Sequence, residues 1–332
     1  MSEALVEVAN LTRLFDVSKP WLNRVIEGDE KQFLRAVDDV SFEIKKGETF
    51  ALVGESGSGK STVAKMVVGL IPPTQGEISI ENISMTDPAQ VGAMRTLRRR
   101  IQMIFQDPFA SLNPRWRVDR IVSEPIRAFD LESDDNAIAR RVEELLSLVG
   151  LSGADGRKFP HEFSGGQRQR ICIARALASK PDFIVCDEPT SALDVSVQAQ
   201  ILNLMRDLQA EFGLTYLFIS HDLSVVRHMA TRVGVMYLGR IVEVADSANL
   251  FDTPEHPYTR MLFDAVPDLM MSGRPHQSVE GEIPNPINPP SGCTFHPRCP
   301  LANDRCRQEI PQPLTSGAST VTCHAREEGR TA

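Results

Sequence analysis

The chain has 332 residues, of which 42% are hydrophobic and 24% charged, with a net charge of −8. That length accommodates one large domain and a smaller one, and the composition is that of an ordinary globular chain with no overall basic footprint for nucleic acid. The N-terminal MSEALVEVAN lacks the basic start and apolar core of a secretory signal, and no apolar run approaches the ~20 residues that span a bilayer. The expectation is a cytosolic chain that meets a membrane only through partners.

In chain order, DVSFEI, KKGE and TFALV read as strand, turn and strand over residues 38–53. A glycine-rich turn follows, then STVAKMVVGL, where Val63, Met66, Val67 and Leu70 recur at helical spacing. Residues 107–180 read as largely helical, with turn signals at DPFASLNPR. DFIVCDE is a short apolar run ending in two carboxylates, which suits a buried parallel strand. In SVQAQILNLMRDLQAEFG, residues Val197, Ile201, Leu204 and Leu208 share a helical face, and Gly213 is the stop signal. LTYLFIS is another buried strand. Strands alternating with helices predict an α/β domain on a mainly parallel sheet with an inserted helical subdomain at about 107–180. From about residue 254 the texture changes: six prolines fall between Pro284 and Pro300 without strong periodicity. This predicts residues 1–253 as the main domain, and 254–332 as a small extension ordered by something other than a large core.

GESGSGKST, Gly54–Thr62, fits G-x-x-x-x-G-K-[ST] between a predicted strand and a predicted helix. Such a loop turns successive N–H groups toward phosphate oxygens: Gly54, Ser56, Gly57, Ser58, Gly59, Lys60, Ser61 and Thr62 are the expected nucleotide contacts. Lys60 would neutralise the β- and γ-phosphates, and Ser61 would join the Mg²⁺ shell. Asp187, at the end of FIVCDE, is the expected second Mg²⁺ neighbour, and Glu188 the group that orients or deprotonates the attacking water. Cys186, in the same strand, and Cys172, in RQRICIARAL, read as small core residues. To this point the residues indicate a nucleotide hydrolase and leave the base open.

FSGGQRQR adds a second glycine turn at a helix start, made by Ser164, Gly165, Gly166 and Gln167. Together with the first loop it resembles the signature sequence of the ABC (ATP-binding cassette) ATPases, with Phe163 in place of the usual leucine. Gln106 in IFQDP resembles that family's glutamine loop, Ser191–Asp194 its D-loop, His221 in FISHD its switch histidine, and Phe15 in LTRLF its adenine-stacking aromatic. The ordered set covers residues 15–221. The resemblance implies a P-loop ATPase fold and a competent ATPase using ATP and Mg²⁺. In it, Lys60, Gln106, Glu188 and His221 are catalytic, Ser61, Gln106 and Asp187 surround Mg²⁺, and Asp194 and the signature turn join the nucleotide site. It also implies head-to-tail pairing of two cassettes, each signature turn capping the γ-phosphate of the other.

FQDPFASLNPRWRV and TPEHPYTRMLFDAVP, around His256, Pro257 and Tyr258, resemble the importers for peptides and nickel, and this chain resembles their second cassette. A bare reading of His256-Pro-Tyr is a surface turn. The resemblance implies a different cassette as partner, two transmembrane permease subunits, an extracytoplasmic solute-binding protein, and a peripheral place on the cytoplasmic face of the inner membrane. Peptide is the first expectation for cargo, with nickel or sugar as alternatives. A non-transport ABC ATPase of repair or translation is the rival class. It fits less well, because only one phosphate loop is present and no long coiled coil divides the site halves.

Four of the six cysteines, Cys293, Cys299, Cys306 and Cys323, gather in the extension with C-x5-C-x6-C-x16-C spacing. In a reducing compartment a disulfide framework is not expected. The spacing matches neither paired zinc ligands nor the ferredoxin patterns. Four thiolates are the number a [4Fe–4S] cluster needs, and some members of the resembled subfamily carry one here. An iron–sulfur cluster is the first expectation, with zinc and unligated thiols as alternatives, and His296 and His324 as bystanders. A protein that is mainly a metal or redox sensor remains a second rival.

Overall fold

The computed structural model describes residues 3–28, 30–264 and 281–330. The chain opens with β1 (Ala4–Asp16), the short helix α1 (Trp21–Glu27) and β2 (Phe33–Lys45). In β2, buried Val40, Phe42 and Ile44 alternate with exposed Ser41 and Glu43, the period-two pattern of a strand with one dry face. After β3 (Thr49–Val53) and α2 (Lys60–Val67) come β4 (Gln75–Ile80) and β5 (Ile83–Ser84). β2, β1, β4 and β5 form a four-stranded antiparallel sheet in that order. Nothing in the sequence pattern announces this antiparallel sheet.

α3 (Val91–Arg100) leads into β6 (Ile101–Ile104). Then follow α4 (Pro108–Ser111), α5 (Val118–Ala128), α6 (Asp135–Leu148) and α7 (Gly165–Leu177), with no strand between them. β7 (Phe183–Asp187), α8 (Val195–Phe212), β8 (Thr215–Ile219), α9 (Leu223–Met229), β9 (Arg232–Tyr237) and β10 (Arg240–Asp246) return the chain to the sheet. Gly213 stops α8 with φ +66, the left-handed C-cap its position implied.

The second sheet has eight strands. β9, β3, β8, β7 and β6 run parallel, and β10 extends their edge antiparallel. Both faces are covered, so β3 is buried throughout. Phe50 and Leu52 pack with the antiparallel sheet and α2, whereas Ala51 and Val53 face the helical segment and α8. Leu70, read at helical spacing with Val63, Met66 and Val67, lies beyond α2 and is 57% exposed. Gly69, at φ +73, turns the chain there, and the Leu70 N–H closes back onto the Lys65 carbonyl.

The extension is tied to the main core. After α10 (Ser247–Asp252) and α11 (Pro257–Asp264), the chain runs through α12 (Asp304–Gln308), β11 (Leu314–Ser316), β12 (Ser319–Val321) and α13 (His324–Glu327). β12 pairs with β10, placing Val321 opposite Glu243, and β11 forms the sheet edge. His256 and Tyr258 are buried, so the surface-turn reading of His256-Pro-Tyr is corrected. Phe295 is fully buried, its ring 5.2 Å from Tyr237 and 5.4 Å from Tyr258. The prolines remove periodicity from this segment without removing its anchors.

Candidate functional site

The glycine turn lies at the C-terminal end of β3 and opens α2. Gly54, Gly57 and Gly59 all have positive φ, and Gly59 is the N-cap of α2. A side chain at Gly54 would stand 2.1 Å from the Met236 carbonyl oxygen, so only glycine fits against β9. Ser56 and Gly57 are exposed at the tip, Ser58 is buried, and the Thr62 N–H bonds back to the Gly59 carbonyl. Lys60 is 5% exposed, and burial holds its ammonium pKa below the ordinary lysine value. Its Nζ donates to the Gly54 carbonyl (2.7 Å), the Glu55 carbonyl (2.9 Å) and Ser58 Oγ (3.2 Å), using all three donors.

The two sheet-end carboxylates lie beside this loop. Ser61 Oγ donates to Asp187 Oδ1 at 2.8 Å, joining the start of α2 to the end of β7. Burial raises the Asp187 pKa, because the charged carboxylate has lost water. Glu188, one residue later, sits at φ +47, a conformation uncommon for a residue with a Cβ and concentrated at functional sites. Its N–H bonds to the Ile219 carbonyl, while Gln106 Nε2 donates to Oε2 at 2.9 Å and His221 Nδ1 lies 3.0 Å from Oε1. Residues 106, 188 and 221, from three separate segments, thus meet at one carboxylate.

The signature turn is elsewhere. Ser164 caps α7 by accepting from the Gln167 N–H (3.3 Å), and the Gln167 side chain accepts from the Ser164 N–H (3.0 Å), a capping box. Ser164, Gly165 and Gln167 are exposed, and Phe163 is buried beneath them. A side chain at Gly166 would meet Val197 Cγ1 at 2.3 Å, so glycine lets α7 close on α8. Asp194 is exposed at the start of α8 without a side-chain capping bond. Among the described residues, no hydrogen bond or ion pair joins Ser164–Gln167 to the Gly54–Thr62 loop of the same chain. Phe15 lies on β1 opposite Leu34, with the Arg13 guanidinium over its ring at 4.6 Å.

Glu55, Tyr258 and Arg298 were absent from the sequence reading of the site. The Glu55 N–H donates to Tyr258 Oη at 3.0 Å. Arg298 grips the Glu55 carboxylate with both terminal nitrogens, at 2.8 and 3.0 Å, and its side chain is 2% exposed. Glu55 occupies a variable position of the loop motif, and 243 residues separate it from Arg298. No local pattern signals that pairing.

Cys306 and Cys323 are buried, while Cys293 and Cys299 are half-buried. Cys293 lies within electrostatic reach of the other three, and the Cys293 N–H bonds to the Cys306 carbonyl. Burial pushes the Cys293 thiol up to about 12 and Cys299 to about 11, and raises Cys323. The backbone of Phe295 beside Cys293, of Leu301 beside Cys299, and of Ala325 and Arg326 beside Cys323 opposes that rise by favouring the thiolate. Arg330 lies 3.8 Å from the Cys306 sulfur. Among the described residues, no group of three His, Cys, Asp or Glu side chains is arranged to hold a metal ion. The expected iron–sulfur or zinc ligation therefore finds no ready-made metal site. His324 is buried with Nε2 3.0 Å from the Glu309 carbonyl, and His296 Nδ1 lies 3.0 Å from the Cys293 carbonyl.

Comparison with known proteins agrees with this geometry. The ABC transporter family profile matches residues 37–191, and that of the oligopeptide/dipeptide transporter C-terminal region matches residues 242–306. The chain is similar to the oligopeptide transport ATP-binding protein AppF of Bacillus subtilis, 47% identical over 97% of both chains. It is also similar to the di/tripeptide transport ATP-binding protein DppF of Pseudomonas aeruginosa, 44% identical over 98% of this chain and 99% of the relative. Among solved structures, the ATP-binding cassette MJ0796, dimeric and bound to ADP and Pi, superposes with a TM-score of 0.63 at 30% identity. That likeness covers 73% of this chain and 98% of the cassette.

Proposed function

The chain belongs to the ABC transporter ATPases, among the ATP-binding subunits of peptide importers, and from that premise we propose how its residues turn ATP hydrolysis into import. The observation that carries the reading is the convergence of Gln106 and His221 on Glu188, beside the loop of Lys60 and Ser61. Glu188 takes the proton of the attacking water, while Gln106 and His221 fix the direction of its two oxygens. Lys60 gives up its bonds to the loop and turns its charge to the β- and γ-phosphates, and Phe15 stacks on the adenine. Ser61 and Asp187, already in contact, are the protein groups that would hold Mg²⁺, with Gln106 as a further candidate. When bound, Mg²⁺ neutralises charge on the phosphate oxygens.

The exposed signature turn completes the site of a second cassette. Ser164, Gly165, Gly166 and Gln167 present a helix N-terminus, which favours an anion. Asp194 lies at the neighbouring turn. Loss of the γ-phosphate removes charge and hydrogen bonds that hold two cassettes together, and this opening drives transport. The partner is a second, different cassette, docked with two permease subunits that receive peptide from an extracytoplasmic binding protein. No helix among the described residues is long and apolar enough to cross a membrane, and the place proposed for the chain is peripheral, on the cytoplasmic face, held there by the permeases.

The thiols of Cys293, Cys299, Cys306 and Cys323 are the groups that would hold a [4Fe–4S] cluster, once rearranged from positions in which they form no ready-made metal site. What supports the reading is the number of thiols and the electrostatic reach of Cys293 to the other three. Zinc held by the same four thiols is the alternative. The main-chain anchors through β12 and Phe295 give such a cluster a structural role.

Reconstitution with the permeases and a second cassette in vesicles tests the function. Peptide uptake must depend on ATP and disappear with Lys60→Ala. Uptake that persists in that variant overturns the reading.

A further inference from the structure

We propose that Arg298 and Tyr258, both in the C-terminal extension, are positioning residues of the nucleotide site, acting through Glu55. The inference rests on the reading of the Gly54–Thr62 loop as the ATP site.

Beside a local bond from the Ser58 N–H to its carbonyl, three contacts meet at Glu55. Its N–H is committed to Tyr258 Oη (3.0 Å), its carboxylate is held by both terminal nitrogens of Arg298 (2.8 and 3.0 Å), and its carbonyl accepts from Lys60 Nζ (2.9 Å). Two of these come from the extension, and the third leads to the lysine that grips phosphate. The Arg298–Glu55 pair is bidentate, so it fixes direction as well as distance, and the guanidinium is buried. Behind it stand the rings of Tyr237, Tyr258 and Phe295, with centroids 4.7–5.4 Å apart. Tyr258 is fully buried, so its hydroxyl is a fixed point rather than a mobile surface group.

The loop needs such a fixed point. Three of its residues, Gly54, Gly57 and Gly59, hold positive φ, and glycine loses more backbone freedom on ordering than any other residue. A loop ordered before nucleotide arrives avoids that cost at the moment of binding. Glu55, the first residue after Gly54, is where an external clamp can set the loop's exit from β3. The extension thereby preorganises a site to which it contributes no expected phosphate contact. Arg298 directly precedes Cys299, so the order of the cysteine-bearing segment and that of the phosphate loop are linked.

The test uses the full chain and a fluorescent ATP analogue with Mg²⁺, titrated alongside thermal melting. Arg298→Gln and Glu55→Gln should each raise the Kd roughly 5- to 20-fold, as the loss of a charge-assisted pair does. The double variant should be no weaker than either single, because both remove the same link. Arg298→Lys should recover part of the affinity, and Tyr258→Phe, which keeps the ring, should weaken binding through the lost acceptor alone. Wild-type Kd in folded Arg298→Gln overturns the proposal, even if its melting temperature falls, since that leaves only a structural staple. Additive losses in the double variant overturn it as well. Lys60→Ala separates the two levels: if it binds nucleotide normally, the ATP-site reading itself fails.

Discussion

The Nδ1 of His221 lies 3.0 Å from Oε1 of Glu188, across the end of the parallel sheet. With Gln106 on the other oxygen, both oxygens of the carboxylate have a partner, on a residue whose φ is +47. Glu188→Gln keeps the shape and removes the base. Hydrolysis should fall by about 10²–10⁴-fold while ATP binding persists, trapping the bound dimer. Turnover near the wild-type rate in a purified Glu188→Gln protein contradicts the assigned role.

Burial raises the Asp187 carboxyl above its ordinary value, against the Ser61 hydrogen bond that lowers it. Its folded pKa is raised, so the folded state binds the proton more tightly than the unfolded one, and stability is lost as pH rises through the raised value. Asp187→Asn removes that charge and keeps an oxygen for the Ser61 hydroxyl. The variant should melt higher than wild type near pH 7.5 without nucleotide, the gap closing in acid, while Mg²⁺-dependent hydrolysis is lost. A lower melting temperature for Asp187→Asn at neutral pH would contradict this.

His256 is buried and held neutral, its pKa lowered to about 3 by burial and by Arg260. The unfolded chain, with an ordinary histidine, binds the proton first. Stability is therefore complete above pH ~6.5 and declines by about 1.4 kcal/mol for each pH unit below it. Glu243, which accepts from the N–H groups of Glu255 and His256, has a raised pKa and opposes this in acid. His256→Asn retains an acceptor for the Tyr258 N–H, now bonded to Nδ1, and removes the titration. Between pH 7.5 and 5.5 the wild type should lose more stability in denaturant melts than the variant. Parallel curves would show that His256 does not control the acid limb.

For the cysteines the expected outcome is iron. Protein purified without oxygen should be brown and contain iron and sulfide, and should bleach on oxidation. Serine at any one of Cys293, Cys299, Cys306 or Cys323 should lower the iron content. A colourless protein with stoichiometric zinc, or with no metal at all, refutes the cluster.

Much of the site was legible because its chemistry is local. A glycine turn between a strand and a helix, and carboxylates ending an apolar run, each follow from residues within about ten positions. The helix stop at Gly213 was readable for the same reason. Leu70 was misread because helical spacing continues past Val67 in sequence, while Gly69 ends the helix in space. The antiparallel sheet of β1, β2, β4 and β5 escaped notice because β1 pairs with β4 across more than sixty residues, and bulges interrupt the alternation along β1.

The sequence by itself determined the chemistry: a phosphate loop, its paired carboxylates, and the ordered motifs of an ABC ATPase. The tertiary structure alone decided that the extension is part of that machine. The Arg298–Glu55 ion pair, the Tyr258 hydroxyl on the loop backbone and the β10–β12 pairing are contacts between segments distant in the chain. Such contacts leave no period or spacing to read. They form because burying Phe295 and the Tyr237–Tyr258 rings brings the cysteine-bearing segment against the phosphate loop.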